Sequence, residues 1–173
     1  MSDELLIVRC RLGERAAFAE LVRAWHDPVW NYVRRMLGPE RADDVTQEVW
    51  LAVFRGLPKL RDPARFPPWL FTIARRAVVD LLRDEYARPE PLDDPDTAGP
   101  DDTDLVVDRS ALGDLLGTLP AREREVLILF YLDDLPLLTC AQICAVPVGT
   151  VKSRLNRARR LLRAALDEKG YPR

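Results

Sequence analysis

Apolar residues recur along most of this chain at intervals of three and four residues, the spacing of an amphipathic helix. No stretch alternates apolar and polar residues between turn residues, so strands are not predicted. Pro28 lies inside the clearest apolar stripe and either starts a second helix or bends a continuous one. That stripe ends at Gly38-Pro39 and comprises Phe18, Leu21, Val22, Trp25, Val29, Tyr32, Val33 and Leu37.

Further segments have the same helical spacing. The stretch DDVTQEVWLAVFRGL opens with acidic residues and has Gly56 near its end, as a helix does. Its Val45, Val49 and Val53 are assigned to the core. WLFTIARRAVVDLLRDEYA follows a Pro-rich loop, and helical spacing returns in RSALGDLLGTLPAREREVLILFYLDDL.

Between these helical segments, residues 84–108 are rich in Pro and Asp and nearly devoid of Lys and Arg. Such a segment cannot bury enough apolar surface to fold alone. The chain is therefore predicted to be all-α. Two small helical domains, residues 1–86 and 109–170, are joined by a flexible acidic linker over residues 87–108.

The composition of the chain indicates the cellular compartment in which the protein is expected to act. The chain has 173 residues and a formal net charge of −2. No apolar run approaches the roughly 18 residues that a membrane span needs, and the acidic N-terminus lacks the features of a signal peptide. The cysteines Cys10, Cys140 and Cys144 do not make a disulfide framework and fit a reducing compartment. We expect a cytoplasmic protein with no membrane contact of its own.

The strongest charge asymmetry is in PVGTVKSRLNRARRLLRAAL, which has six basic residues and no acidic residue. At 100° per residue, one arc is apolar and would pack inward. That arc comprises Val148, Val151, Leu155, Ala158, Leu162 and Leu166. The opposite side holds Thr150, Ser153, Asn156, Arg157 and Arg160, flanked by Lys152, Arg154, Arg159 and Arg163.

A short helical segment, LLTCAQICA, precedes this basic helix, which is the order of a helix-turn-helix motif. In that motif the second helix lies in the major groove. The basic residues alone are more typical of a solvated helix face than of a DNA-binding one. Small hydrogen-bonding Ser153 and Asn156 at the centre, with long cations around them, favour base reading amid phosphate contacts.

Three segments together resemble a known family. LPAREREVLILFYLDDL with AVPVGTVKSRLNRARRLL closely resembles region 4 of the extracytoplasmic-function (ECF) sigma factors, the small bacterial sigma-70 type. DDVTQEVWLAVF resembles their region 2.2, and FPPWLFTIARRAVVDLLR resembles regions 2.3 to 2.4. The segments occur in the family's order and cover nearly the whole chain.

The resemblance implies a promoter-recognition subunit of bacterial core RNA polymerase. Its N-terminal domain would bind the core enzyme and melt and read the −10 element, and its C-terminal domain would read the −35 element as duplex. The acidic linker would run through polymerase channels, although a merely solubilising tether is the alternative. An anti-sigma factor is the expected regulatory partner, in a stress or envelope response.

The resemblance also implies three sets of site residues. The set expected on the polymerase clamp helices is Asp44, Gln47, Glu48 and Leu51. The set expected around an extruded −10 base is Leu60, Arg61, Asp62, Ile73, Arg75 and Arg76, with Arg83 on a phosphate. At the −35 element, Ser153, Asn156 and Arg157 are expected on base edges, with Lys152, Arg154 and Arg160 on phosphates. Trp69 and Phe71 are assigned to the core rather than to stacking on DNA.

This chain departs from the family pattern at several positions. The family often has Asn where Arg76 stands, and a guanidinium does not reproduce that base contact, so the favoured −10 base is expected to differ. Ala145 replaces a common Gly. A positive φ costs alanine about 1 kcal/mol more than it costs glycine, so a slightly different turn is expected. Leu137 and Leu138 either pack against the preceding helix, which is favoured, or contact a partner such as an anti-sigma factor.

No group in the sequence predicts catalysis. Cys140 and Cys144 form an incomplete zinc set and are better assigned as small buried residues. His26 has no Cys or Asp partner at catalytic spacing. We therefore expect no catalytic residue, no bound metal, no cofactor and no enzyme activity. A free-standing helix-turn-helix regulator is the alternative function, and a small helical enzyme is disfavoured.

Overall fold

The structure, a computed structural model, describes residues 2–86 and 111–168, without the side chains at 85, 86, 111 and 112. Every element in these two ranges is helical, and no strand occurs in them. The all-α prediction is therefore confirmed. The linker predicted over 87–108 lies outside the described residues.

The N-terminal half contains four α-helices. A single 3-10 turn at Leu57–Lys59 and another at Pro63–Arg65 connect the last two. The helices are α1 (Asp3–Arg11), α2 (Arg15–Leu37), α3 (Pro39–Gly56) and α4 (Phe66–Tyr86). Helix α1 was not predicted, because its apolar residues follow no clear helical stripe. It packs against α2, and its Ile7 is fully buried.

Helix α2 runs without interruption through Pro28, so the continuous-helix interpretation is the right one. Leu21, Val29 and Val33 of the predicted stripe are fully buried. Gly38 then adopts a φ of 88°, a left-handed conformation that ends the helix without steric cost. Pro39 begins α3 at once, because the first helical position needs no backbone N–H. Val45, Val49 and Val53 of α3 are buried, as predicted.

The C-terminal half begins with two short helices and continues through a π-helical turn, Ile128–Leu132, directly after the second of them. Pro120 and Pro136 immediately precede two of its helices, where their fixed φ suits the entry into a helix. The four helices are α5 (Ala111–Gly117), α6 (Ala121–Leu127), α7 (Leu137–Cys144) and α8 (Val148–Glu168).

The two halves share one continuous hydrophobic core. Buried residues of α2 and α4 form a single cluster with Ile143 and Cys144 of α7, and α4 packs directly against α7. Tyr32 and Phe71 meet edge to face at its centre, with ring centroids 5.7 Å apart. A smaller cluster lies beneath α8 at Leu116 and Leu119. No helix in the described ranges is long and apolar enough to cross a bilayer.

Candidate nucleic-acid interface

Helix α8 separates an apolar face from a polar face as the sequence predicted. Val151 and Ala158 are fully buried, and Leu155 is 2% exposed. On the opposite side, most of the residues predicted to contact duplex DNA are exposed, and Arg154 is half-buried. The exposed ones are Lys152, Ser153, Asn156, Arg157 and Arg160. The outer face of α8 is therefore a convex, cationic surface that the fold leaves open.

Ser153 and Arg157 on this outer face are held by neighbouring groups. The Ser153 hydroxyl donates to the Thr150 carbonyl at 2.9 Å, one turn earlier in the helix. The Arg157 guanidinium lies 3.4 Å from a Glu123 carboxylate oxygen, and its side chain is still 58% exposed. Arg157 is thus anchored at its inner side by α6 while its outer side faces solvent.

The turn between α7 and α8 keeps the left-handed geometry of a helix-turn-helix despite its alanine. Ala145 has φ 54° and ψ 43°. The Val146 amide donates to the Ala141 carbonyl at 3.1 Å, and the Ala145 amide donates to Gln142 at 3.3 Å. These are the two bonds of a Schellman motif, which normally has glycine at the left-handed position. We expected Ala145 to alter this turn slightly, but the turn keeps the left-handed conformation that glycine usually adopts there.

The loop predicted to capture a −10 base lines an open groove. Arg61 and Asp62 are exposed at this groove, whereas Leu60 is only 8% exposed. Asp62 accepts a hydrogen bond from the Ala64 amide at 3.1 Å, which fixes the loop before α4. The groove has a volume of about 490 Å³, and Gln142 of α7 forms part of its wall. A helix of the C-terminal half therefore borders this loop.

The predicted −10 residues on α4 divide into two groups. Arg76 and Arg83 are exposed, and Ile73 is partly buried against the shared core. Arg75 points toward the C-terminal half, where its Nε donates to Glu125 Oε1 at 2.8 Å. In the described structure, Arg75 is thus engaged by a carboxylate rather than open to solvent.

The Glu125 carboxylate also accepts a hydrogen bond from Tyr32 Oη at 3.2 Å. Burial, with the Glu125 carboxylate beside it, raises the pKa of Tyr32 well above its ordinary value. The Tyr32 hydroxyl therefore stays protonated and can donate. Because the Glu125 side chain is only 6% exposed, these two donors satisfy a carboxylate that is nearly removed from water.

Sequence reasoning missed three consecutive buried charges in α6: Glu123, Arg124 and Glu125. Arg124 is 1% exposed and donates to the carbonyls of Leu119 at 2.9 Å and Met36 at 3.3 Å. Successive residues of a helix are separated by about 100°, so three in a row span too wide an arc for one solvent face. The run ERE inside an apolar segment was the available signal.

A second ion pair between the halves joins Arg35 of α2 to Asp133, at 3.5 Å. Asp133 follows the π-helical turn, and its side chain is 6% exposed. Burial raises the pKa of Asp133 to about 7, and the Arg35 guanidinium only partly offsets this shift. The carboxyl group therefore titrates near neutral pH, which the sequence alone did not indicate.

The residues predicted to face polymerase lie together on the outer side of α3. Asp44, Gln47, Glu48 and Leu51 are all exposed, Leu51 by 50%. Next to them is an apolar groove of about 480 Å³, lined by Phe18, Trp50 and Phe54 together with Gln47 and Leu51. The Phe18 and Phe54 rings meet edge to face at 5.1 Å, and Phe54 is 60% exposed. Carboxylates thus border an open apolar surface.

Comparison with known proteins identifies the family. Residues 21–88 match the model described as Sigma-70 region 2, and residues 109–162 match the model described as Sigma-70, region 4. SigL of Mycobacterium tuberculosis, an ECF RNA polymerase sigma factor, is 34% identical, with 93% of this chain and 97% of SigL covered. The chain belongs to the ECF RNA polymerase sigma factors.

Other relatives agree with this assignment. The ECF sigma factor SigW of Bacillus subtilis is 29% identical over 94% of this sigma factor and 95% of its own length. The solved structure of CnrH in complex with the cytosolic domain of CnrY has a TM-score of 0.72 at 27% identity, covering 96% of this chain and 97% of CnrH. The resemblance found in the sequence is confirmed. Sigma factors are transcription initiation factors, not enzymes.

The remaining sequence predictions concern α7 of the sigma factor. Cys140 and Cys144 are buried free thiols, as predicted. Burial raises the pKa of Cys140 to about 11 and also raises the pKa of Cys144, so both stay protonated at neutral pH. Leu137 packs against the core, as favoured, whereas Leu138 is 68% exposed. Within residues 2–86 and 111–168, no group of three or more His, Cys, Asp or Glu side chains is placed to hold a metal ion.

Proposed function

We propose that this sigma factor directs bacterial core RNA polymerase to promoters whose −35 element it reads as duplex and whose −10 element it reads as a melted strand. The observation that carries this proposal is the outer face of α8, where polar and cationic side chains are exposed opposite the buried residues Val151, Leu155 and Ala158. A helix in this position can enter a major groove without unfolding its own core.

At the −35 element, the outer face of α8 supplies both kinds of contact that specific binding requires. Ser153, Asn156 and Arg157 read base edges near the centre of the face, because their side chains carry donors and acceptors at suitable reach. Lys152, Arg154 and Arg160 bind phosphates around them, which positions the helix and makes binding dependent on salt.

At the −10 element, the loop of Leu60, Arg61 and Asp62 and the adjoining helix contact the melted strand. Arg76 and Arg83 are exposed toward solvent and suit phosphate or base contacts. Ile73 and Arg75 are the other members of this set, and Arg75 is paired with Glu125. Full reading of the −10 strand therefore requires the C-terminal helices to move away from α4. Arg76 stands where the family often has Asn. We therefore expect this sigma factor to favour a different −10 base from relatives that have Asn there.

Core polymerase is proposed to bind the outer side of α3. Asp44 and Glu48 supply carboxylates for the basic clamp helices, and Gln47 and Leu51 line the neighbouring apolar groove. Complementary charge around an apolar contact favours specific association. We place the polymerase- and −10-binding domain at residues 1–86, the linker at 87–108 and the −35 domain at 109–170.

An anti-sigma factor is the proposed regulator, in a stress or envelope response. Its support is the related CnrH structure, which was solved with a bound partner, the cytosolic domain of CnrY. The exposed Leu138 of α7 adds an apolar side chain where such a partner could contact the C-terminal half. Because core polymerase is a bacterial cytoplasmic enzyme, the sigma factor is proposed to act in the cytoplasm.

Run-off transcription with purified core polymerase on a library of −35 and −10 sequences tests the proposal. We expect initiation that depends on this sigma factor and on a defined pair of elements. Arg157→Ala should weaken promoter binding by about 1–3 kcal/mol, because a bidentate base contact is lost. Arg160→Ala is the matched control and should weaken binding to all duplexes alike. The proposal fails if no library member supports polymerase-dependent initiation.

A further inference from the structure

Three side chains on the exposed side of the C-terminal half form a chain of hydrogen bonds that ends at a proposed base reader. Tyr131, in the π-helical turn, accepts a bond from Arg159 Nε at Oη, with a distance of 2.6 Å. The Arg159 guanidinium also lies over the Tyr131 ring, 5.4 Å from its centroid. Arg159 Nη1 then donates to Asn156 Oδ1 at 3.0 Å. The order is thus Tyr131, Arg159, Asn156.

The chemistry of these groups fixes the orientation of the Asn156 amide. A guanidinium has only donors, so the amide atom that faces Arg159 is the oxygen. The amide nitrogen Nδ2 is therefore turned away from Arg159. An asparagine held in this way offers two N–H donors at its outer end, and one lone pair of its oxygen is taken by the neighbouring guanidinium.

This orientation changes which base edge Asn156 can recognise. An unconstrained asparagine reads adenine with both amide atoms, because its oxygen accepts from adenine N6 while its nitrogen donates to N7. Here the oxygen is bound by Arg159, and any base amino group that approached it would meet the guanidinium N–H groups. The acceptors of guanine, O6 and N7, and the O4 atom of thymine have no such conflict.

We propose that Tyr131 is a positioning residue that holds Asn156, through Arg159, as a hydrogen-bond donor, so that this position of the −35 element favours guanine, then thymine, over adenine and cytosine. The inference rests on the proposed role of the outer face of α8 in −35 recognition. It assigns a base class to one residue of that face and a specificity role to Tyr131, which itself lies outside α8.

The contact between Tyr131 and Arg159 is what makes the orientation persistent. Arginine has many rotamers, and an exposed arginine held by a single bond would sample several of them. Arg159 has two independent attachments to Tyr131, a hydrogen bond and a cation–π contact. Removal of the Tyr131 hydroxyl leaves the ring in place and loosens only the first of these.

The test is a selection of −35 sequences by the full-length sigma factor bound to core polymerase, with initiation as the readout. Asn156→Ala first identifies the base position that Asn156 reads, because the preference there should flatten. In wild type, that position should favour guanine or thymine. In Tyr131→Phe, the frequency of adenine relative to guanine should rise about five-fold at that position alone, since Arg159 is held less firmly and leaves the Asn156 oxygen part of the time.

Three further variants separate positioning from general effects on folding or charge. Tyr131→Glu supplies an acceptor for Arg159 again and should restore the wild-type preference. Arg159→Ala frees the Asn156 oxygen completely and should raise the adenine preference more than Tyr131→Phe does. Arg163→Ala, which removes a cation from the next turn of α8, should lower initiation on all sequences without altering the preference.

The outcomes are distinguishable. If no sequence supports polymerase-dependent initiation, the proposed function itself is wrong. If initiation is specific but Asn156→Ala flattens no position, Asn156 is not a base reader and the inference is overturned. It is likewise overturned if wild type favours adenine or cytosine there, or if Tyr131→Phe and Arg159→Ala both leave the preference unchanged.

Discussion

The outer face of α8 and the side of α4 that carries Arg75 both have guanidinium groups that we propose contact nucleic acid, yet their surroundings differ. Arg157 of α8 is 58% exposed, and its carboxylate partner lies at 3.4 Å on the inner side. Arg75 of α4 is 27% exposed and is bound at 2.8 Å by Glu125, a residue of the other half. The first face is open, and the second is covered.

The difference bears on the two proposed modes of DNA recognition. A duplex can approach a convex helix from outside, so the −35 face of the proposed function needs no rearrangement of the described helices. A melted strand must instead be bound in a concave site between a loop and a helix. In this structure α7 borders that concavity through Gln142. The covered face is therefore the one whose exposure depends on the relative position of the two halves.

The largest expected effect is on the covered side, at Arg124. Arg124→Ala should lower the free energy of unfolding by about 3–5 kcal/mol, because it strands buried carbonyls and leaves a cavity. Urea denaturation followed by circular dichroism measures it. Arg160→Ala, on the open face of α8, is the control and should change stability by no more than about 0.5 kcal/mol. Similar losses in the two variants would contradict the comparison.

The pairing of Arg75 with Glu125 provides a smaller and more specific test. Glu125→Gln keeps the side-chain volume and removes the charge, and should lower stability by about 1–2 kcal/mol. Arg75 is then held only by a neutral acceptor and is released more readily, so the isolated chain should bind a single-stranded −10 oligonucleotide about three-fold to ten-fold more tightly by fluorescence anisotropy.

The control for this variant is Glu123→Gln, which alters the partner of Arg157 instead of the partner of Arg75. It should leave affinity for the −10 strand unchanged. If both variants changed this affinity equally, the covering of α4 by Glu125 would have no bearing on strand binding.

The sequence predicted some features of these two regions and could not predict others. The stripes of α2, α3 and α8 were predictable because amphipathic spacing is a local property of the chain. The Glu125 contacts were not, since its partners Arg75 and Tyr32 lie 50 and 93 residues away. Only the packing of the two halves brings these residues together, and no spacing rule encodes it.

The same distinction holds within α8. The separation of buried Leu155 from exposed Asn156 followed from helical periodicity. The hydrogen bond between Tyr131 and Arg159 did not, because the two residues are 28 positions apart and belong to different elements. The family resemblance predicted which residues face DNA, but it did not indicate how this chain orients them.

We expect the stability of the protein to depend on pH through Asp133, which forms an ion pair with Arg35 of α2. Its pKa is about 7 in the folded protein and 3.8 in its unperturbed state, so the folded state binds more protons between these values. Stability should therefore be highest below about pH 4, as far as this group is concerned, and should fall as pH rises through 7. Asp133→Asn should flatten this fall.

Thermal unfolding of wild type and Asp133→Asn between pH 5 and pH 8 measures this effect. At pH 8 the variant should be more stable by about 1–2 kcal/mol, because a buried charge with one unpartnered oxygen is replaced by a neutral amide. Parallel pH profiles would show that Asp133 does not control this dependence. Asp134→Asn, at the exposed neighbouring position, should follow wild type.

The smallest expected effect lies at the turn that joins the covered helix α7 to the open helix α8. Ala145→Gly should raise the free energy of unfolding by about 0.5–1 kcal/mol, because glycine adopts the left-handed conformation without strain. The gain is reduced by the greater entropy of glycine in the unfolded chain. The shift in melting temperature measures it. A decrease would mean that the alanine methyl group contributes more in packing than its backbone conformation costs.

The Glu125 carboxylate has a consequence for affinity measurements on the isolated sigma factor. It belongs to the same chain as Arg75, so it competes with a DNA phosphate as an intramolecular ligand whose local concentration does not fall on dilution. The apparent dissociation constant for a −10 strand is then the intrinsic constant divided by the fraction of molecules in which Arg75 is released. Titrations at different protein concentrations should all underestimate the intrinsic affinity by one constant factor.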